Sequence, residues 1–108
     1  MLLLVKELRI AESRMKNLAQ MTVREKSAEA LLLLKQSFGI KKTDGIVLDA
    51  ILTRKDMADL AGLSTEQITK CFSEFRQEQI IRIDGKRITI LKPENLFKLI
   101  TPYYPYPQ

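Results

Sequence analysis

The stretch from Arg54 to Ser73, RKDMADLAGLSTEQITKCFS, is laid out as two short helices joined by a tight corner. Met57, Ala58 and Ala61 put small or apolar groups on one side of the first helix, and Leu63, Ile68 and Cys71 continue the buried side. Ala58 permits close helix approach, Gly62 falls four residues later where the corner wants positive φ, and Ile68 follows at six. That last offset is the one at which a second helix turns an apolar residue back onto the first. Ser64 with Gln67 three residues on makes a capping box, which sets the start of the second helix. The apolar stripe Ile68, Cys71, Phe72 and Phe75 leaves Thr65, Glu66, Thr69, Lys70 and Ser73 on the opposite, polar face. In a helix-turn-helix that face is the candidate reader of DNA bases.

A pair of short helices with a glycine corner satisfies part of this pattern in many small helical proteins, so the flanks decide. After Phe75 the chain runs EQIIRIDGKRITILKP, two strands of alternating isoleucine about Asp84, Gly85 and Lys86. A hairpin directly after a recognition helix is the wing of a winged helix. A loop of Asp84 and Gly85 pairs Ile83 with Lys86, whereas a loop of Gly85 and Lys86 pairs Ile83 with Ile88 and Ile81 with Ile90. The second register puts all four isoleucines on one face and is the one expected. It sends Arg82 and Thr89 to the outer face and leaves Lys86 and Arg87 at the tip, where a wing meets phosphate. A solvated hairpin with a basic tip has the same sequence signature.

At 108 residues the chain is one small domain plus an extension. Its 18 basic and 13 acidic residues suit a nucleic-acid partner without requiring one. Arg54 to Lys92 holds eight basic and six acidic residues and Met1 to Phe38 seven and four, so attraction to the DNA backbone is expected partly from outside the motif. There is no histidine and one cysteine, Cys71, which removes the usual zinc sites, an internal disulfide and a Cys-His nucleophile. No catalytic residue, metal ligand or cofactor site is expected, and Cys71 reads as a small buried hydrophobe rather than a redox sensor. The opening MLLLV is too short and too soon followed by charge for a signal peptide or membrane span, so a cytoplasmic protein with no membrane partner is expected.

Met1, Leu4, Leu8, Ala11, Met15 and Leu18 recur at alternating steps of three and four, an a/d seam expected to pair with a second copy as a homodimer. The alternative is a stripe packed on the chain's own core. Leu2, Leu3, Val5 and Ile10 lie off the seam, surplus apolar surface that suggests a missing neighbour. A second helix is expected from Val23 to Phe38, with Val23, Ser27, Ala30, Leu31, Leu34 and Phe38 inward, and Thr22 and Glu25 as its capping box. It should end at Gly39. Lys41 to Gly45 reads as a polar loop, Ile46 to Leu52 as a short strand that adds to the wing sheet, and Thr53 as the cap of the motif's first helix. Pro93 opens a short helix to about Ile100, and Thr101 to Gln108 reads as an extended or disordered tail. The expected architecture is therefore mainly α with a small β-hairpin wing, an α+β winged helix-turn-helix. Residues 1–20 form a dimerisation helix and hinge, 21–100 the winged helix and 101–108 the tail.

This order of elements resembles the C-terminal half of the Crp/Fnr family of bacterial transcription regulators, from the start of the chain to about Leu99. NLAQMTVREKSAEALLLL, Asn17 to Leu34, looks like the family's hinge, and LTRKDMADLAGLSTEQITKCFSEFRQEQIIRIDGKRITIL, Leu52 to Leu91, looks like its helix-turn-helix and wing. The family's N-terminal effector-binding β-roll has no counterpart, so the chain reads as a fragment that begins inside the long dimer helix, with its effector unknown. The family's recognition helix commonly carries a glutamate followed four residues later by an arginine, with a serine or threonine before that arginine in the Fnr-like branch. Glu66, Thr69 and Lys70 stand at those places, with lysine for arginine, and Thr65 stands where the Crp branch has a second arginine. The resemblance implies a homodimer on an inverted-repeat operator, reading bases with Thr65, Glu66, Thr69, Lys70 and Ser73. Arg54, Ser64, Lys86 and Arg87 would hold phosphates, and the Lys41 to Gly45 loop would lie where family activators touch RNA polymerase. The rival reading is a winged helix used as a protein-interaction module.

Overall fold

The computed structural model describes residues 21–103. The expected seam of Leu4, Leu8, Ala11, Met15 and Leu18, and the tail beyond Tyr103, lie outside the described residues. Helix α1 (Val23–Phe38) has the expected bounds and cap. Thr22 Oγ1 accepts from the Glu25 N–H at 3.2 Å while the Thr22 N–H donates to Glu25 Oε1 at 2.8 Å, which satisfies two otherwise orphaned donors. The helix buries Ser27, Ala28, Ala30, Leu31 and Leu34. Val23 and Phe38, expected on the same face, stand 36% and 43% exposed because the two ends of the helix overhang the core.

Gly39 ends α1 in extended backbone, at φ −72° and ψ 128°, and the chain passes directly into strand β1 (Gly39–Lys42). Lys41 and Lys42, expected to open a loop, are therefore strand residues. With β2 (Gly45–Leu48) they form a hairpin turning at Thr43 and Asp44, in the register Ile40↔Val47 and Lys41↔Ile46. Strand β1 is exposed along its length and carries no apolar alternation, so backbone pairing alone specifies it. The strand expected to reach Leu52 stops at Leu48.

Helix α2 (Arg54–Ala61) starts at Thr53, whose hydroxyl and N–H form a reciprocal box with Asp56, and stops at Gly62 in the left-handed region, φ 75° and ψ 37°. Helix α3 (Thr65–Gln77) starts at Ser64. The two pack through Met57, Ala58 and Ala61 on one side and Ile68, Cys71, Phe72 and Phe75 on the other, as the spacing requires. Strands β3 (Ile81–Asp84) and β4 (Arg87–Ile90) pair as Ile81↔Ile90, Arg82↔Thr89, Ile83↔Ile88 and Asp84↔Arg87, the register that isoleucine alternation selects. Strand β2 joins through Ile46↔Ile90 and Val47↔Thr89, which gives an antiparallel sheet of order β1-β2-β4-β3.

Helix α4 (Pro93–Ile100) packs along α1 and continues into a 3-10 turn, Thr101–Tyr103, where an extended or disordered tail was expected. The Tyr103 hydroxyl fixes that turn by donating to Glu25 Oε1 at 2.8 Å. The core is thus α1, faced by the helix-turn-helix, by α4 and by the sheet. Full burial of Leu31, Ile68, Phe72 and Phe75 contributes roughly 1.5–3 kcal/mol each by transfer free energy.

Candidate nucleic-acid interface

The buried stripe of α3 turns Thr65, Glu66, Thr69 and Lys70 to solvent and leaves Ser73 half-buried at the margin. Ser64 Oγ accepts from the Gln67 N–H at 3.1 Å, so its hydroxyl proton remains a donor beside the first turn. Arg54, the first residue of α2, is half-buried with its guanidinium 5.2 Å from the centroid of the Phe72 ring. Burial pulls its pKa down from the ordinary value, and the ring holds the side chain against the helix pair. Lys86 and Arg87 are exposed at the wing tip after Gly85, which takes φ 61°. The structure therefore brings the residues expected to read bases together on one helix face and keeps those expected to hold phosphates on three separate elements around it.

The electrostatics come from how the acidic side chains are disposed. At the C-cap of α3, Glu78 accepts two hydrogen bonds from the Arg24 guanidinium, at 2.6 and 2.8 Å, and Glu74 in the helix lies 3.9 Å from the same group. Arg24 also sits 4.8 Å from the Phe75 ring centroid. The Glu78 hydrogen bonds raise the Arg24 pKa, and Arg24 in turn lowers that of Glu78. Asp59 pairs with Lys55 at 3.3 Å, Asp56 caps α2, and Asp84 accepts from Arg82 at 3.1 Å. Of the six acidic residues between Arg54 and Lys92, only Glu66 faces outward without such a contact. Among the described residues no ion pair engages Lys70, Arg76, Lys86, Arg87 or Lys92. In a motif only mildly positive by composition, the charges left without an ion pair are thus mostly cationic.

Arg82 keeps the outer face and gains a distant partner, whereas Thr89 departs from expectation. Arg82 crosses β4 to bond Asp44 Oδ2 at 2.9 Å, which lowers the Asp44 pKa and raises its own. Thr89, expected on the outer face, is 2% exposed, with Val47 and Arg82 as its partners on the two neighbouring strands. Arg76 was not singled out in the sequence. It is exposed and lies within about 40° of Thr65 and Thr69 around the helix. Carrying the helical wheel one turn further would have found it. Cys71 is buried, and desolvation pushes its thiol pKa up, as a core residue requires. Among the described residues no group of histidine, cysteine and carboxylate side chains could hold a metal ion, and no helix is long and apolar enough to cross a membrane.

Residues 25–99 match the Crp-like helix-turn-helix domain family. The chain is 29% identical over 90 residues to the global nitrogen regulator of Nostoc sp., an overlap of 83% of this chain and 40% of that protein. It is 30% identical over 93 residues to the CRP-like cAMP-activated global transcriptional regulator of Mycobacterium tuberculosis, covering 86% and 42%. A transcriptional regulator of the CRP/FNR family from Thermus thermophilus superposes with a TM-score of 0.78 at 28% identity, over 89% of this chain and 49% of that one. The chain spans about two fifths of the length of the curated relatives it matches. These relatives are transcription regulators rather than enzymes. By the family match and by the fold, the chain belongs to the Crp-like helix-turn-helix family.

Proposed function

We propose that this domain binds double-stranded DNA to regulate transcription in the cytoplasm, with α3 in the major groove. The observation that carries the reading is the pairing away of five acidic side chains, which leaves a polar helix face and a basic wing tip uncompensated. Glu66 accepts from cytosine N4, and Lys70 donates to guanine O6 or N7. Thr69 offers a hydroxyl and a methyl group, with Thr65 and Ser73 beside it. Lysine lacks the fork by which arginine reads both guanine acceptors at once, so Lys70 discriminates less sharply than arginine would. Arg54, Ser64, Lys86 and Arg87 take phosphates, which fixes position without reading sequence.

The seam of Leu4, Leu8, Ala11, Met15 and Leu18 supports a homodimer whose two readers meet successive major grooves about 34 Å apart on an inverted repeat. The β1–β2 hairpin, held through Asp44 by Arg82, is a surface suited to RNA polymerase. Selection from a randomised duplex tests the reading: enrichment of an inverted repeat with half-sites about 10 base pairs apart is expected, and no enriched sequence would refute it. Leu8→Glu buries a charge against its symmetry mate and should make the protein monomeric in analytical ultracentrifugation with its fold intact. A parent already monomeric at high concentration would refute the seam.

A further inference from the structure

Two aromatic rings of α3 lie under arginines from the neighbouring helices, and the two pairs differ in what else the cation touches. Arg24 of α1 sits 4.8 Å from the Phe75 ring centroid, and Glu78 and Glu74 also engage its guanidinium. Arg54 of α2 sits 5.2 Å from that of Phe72, and among the described residues no hydrogen bond or ion pair engages its guanidinium. The first cation is neutralised inside the domain, whereas the second keeps its charge and its N–H donors unused.

The two rings also stand differently towards the polar face. Around α3, Phe72 lies about 20° from Thr65 and about 60° from Thr69, whereas Phe75 lies about 80° and about 120° from them. A cation held over Phe72 is therefore beside the face expected to read bases, and one held over Phe75 is behind it. Phe72 itself is 1% exposed, so it cannot touch DNA and acts only through the arginine above it. The negative face of the ring holds the planar guanidinium electrostatically. An arginine that takes a phosphate gives up rotamer freedom, and a ring that already confines it removes part of that loss.

We propose that Phe72 is a positioning residue: its ring fixes the Arg54 guanidinium for one DNA phosphate, and so sets the register in which Thr65, Glu66, Thr69 and Lys70 meet the bases. The inference rests on the DNA reading above and deepens it. A phosphate contact carries no sequence information, but one held in place determines where the neighbouring side chains fall on the base edges. Binding to random duplex needs only the charge, whereas binding to a preferred sequence also needs its position.

Phe72→Leu keeps an apolar side chain in the core and leaves Arg54 charged but unconfined. On the duplex enriched by selection it should weaken binding by about threefold to tenfold, with affinity for random duplex and its salt slope hardly changed. Arg54→Gln should weaken both duplexes and reduce the slope by about one unit. In that background Phe72→Leu should cost nothing further, which a merely structural ring would not show. Arg54→Lys leaves the core untouched. It should keep the slope and lose the same preference, because an ammonium on a flexible stem lacks the planar group that stacks. Phe75→Leu, the matching change under Arg24, should lower the urea midpoint and leave the ratio of the two affinities within twofold. Equal losses from Phe72→Leu with and without Arg54, or an unchanged preference in Arg54→Lys, would overturn this inference alone. A parent that prefers no sequence, or Arg54→Gln without effect on either duplex, would overturn it together with the reading on which it rests.

Discussion

Gly62→Ala puts a methyl group on backbone at φ 75° and ψ 37°, and nothing lies within 4 Å of where that methyl would stand. Its cost is therefore conformational, about 1–2 kcal/mol for an ordinary residue in the left-handed region. For a domain of this size that lowers the thermal midpoint by roughly 4–8 °C per kcal/mol. Gly39→Ala fails for the opposite reason. Its φ of −72° suits any residue, but a Cβ there collides with the Lys35 carbonyl and approaches Ile46 Cγ2 to 2.9 Å. Overpacking of this kind costs about 1–3 kcal/mol. Asparagine separates the two causes, because it tolerates left-handed backbone but is larger than alanine. In urea unfolding, Gly62→Asn should recover most of the stability lost in Gly62→Ala, whereas Gly39→Asn should be no better than Gly39→Ala. If asparagine is as costly as alanine at Gly62, or rescues Gly39, the assignment of conformational freedom to one glycine and close approach to the other is wrong.

Lys70→Ala should cost roughly 1–3 kcal/mol on the selected operator and relax discrimination at one base pair, while random-duplex affinity hardly changes. Equal losses in a gel-shift titration on both duplexes would move Lys70 to phosphate. Lys86→Ala should weaken both duplexes alike and reduce the salt slope by about one unit, and a loss confined to the operator would mean that the wing reads bases. The lowered pKa values of Glu78 and Asp44, held by Arg24 and Arg82, give a sign for acid unfolding. A depressed carboxylate stabilises the fold fully above its ordinary pKa, and that stabilisation is lost as pH falls through the folded value. Arg24→Met should therefore destabilise the domain at pH 7 and by much less at pH 3. A difference as large in acid would leave the Phe75 contact, not the Glu78 pair, as the source.

Most of the fold was legible because local signals and the core pattern agree. Three capping boxes, at Thr22, Thr53 and Ser64, mark three helix starts, and the isoleucine alternation has one register that buries its face. Strand β1 was not legible, because Ile40, Lys41 and Lys42 carry no periodic signal and are ordered by pairing with β2 alone. The burial of Thr89 was not legible, because its neighbour in the sheet, Val47 of β2, is distant in sequence, as is Asp44, the partner of Arg82. The reading face itself could be named from the helical wheel. Its field could not, since composition counts Glu74, Glu78 and Asp84 against the cations, while the structure assigns them to Arg24 and Arg82.

The central claim is that the uncompensated cations around α3 meet DNA, and the salt dependence of binding to a short random duplex tests it most directly. Arg54, Lys86 and Arg87 each displace condensed counterions, at about 0.9 per phosphate contact, so log K should fall against log salt with a slope of about −3 per bound protomer. A slope near zero between about 50 and 200 mM salt, or no measurable affinity at the lower limit, would contradict the account and leave the winged helix as a protein-interaction module.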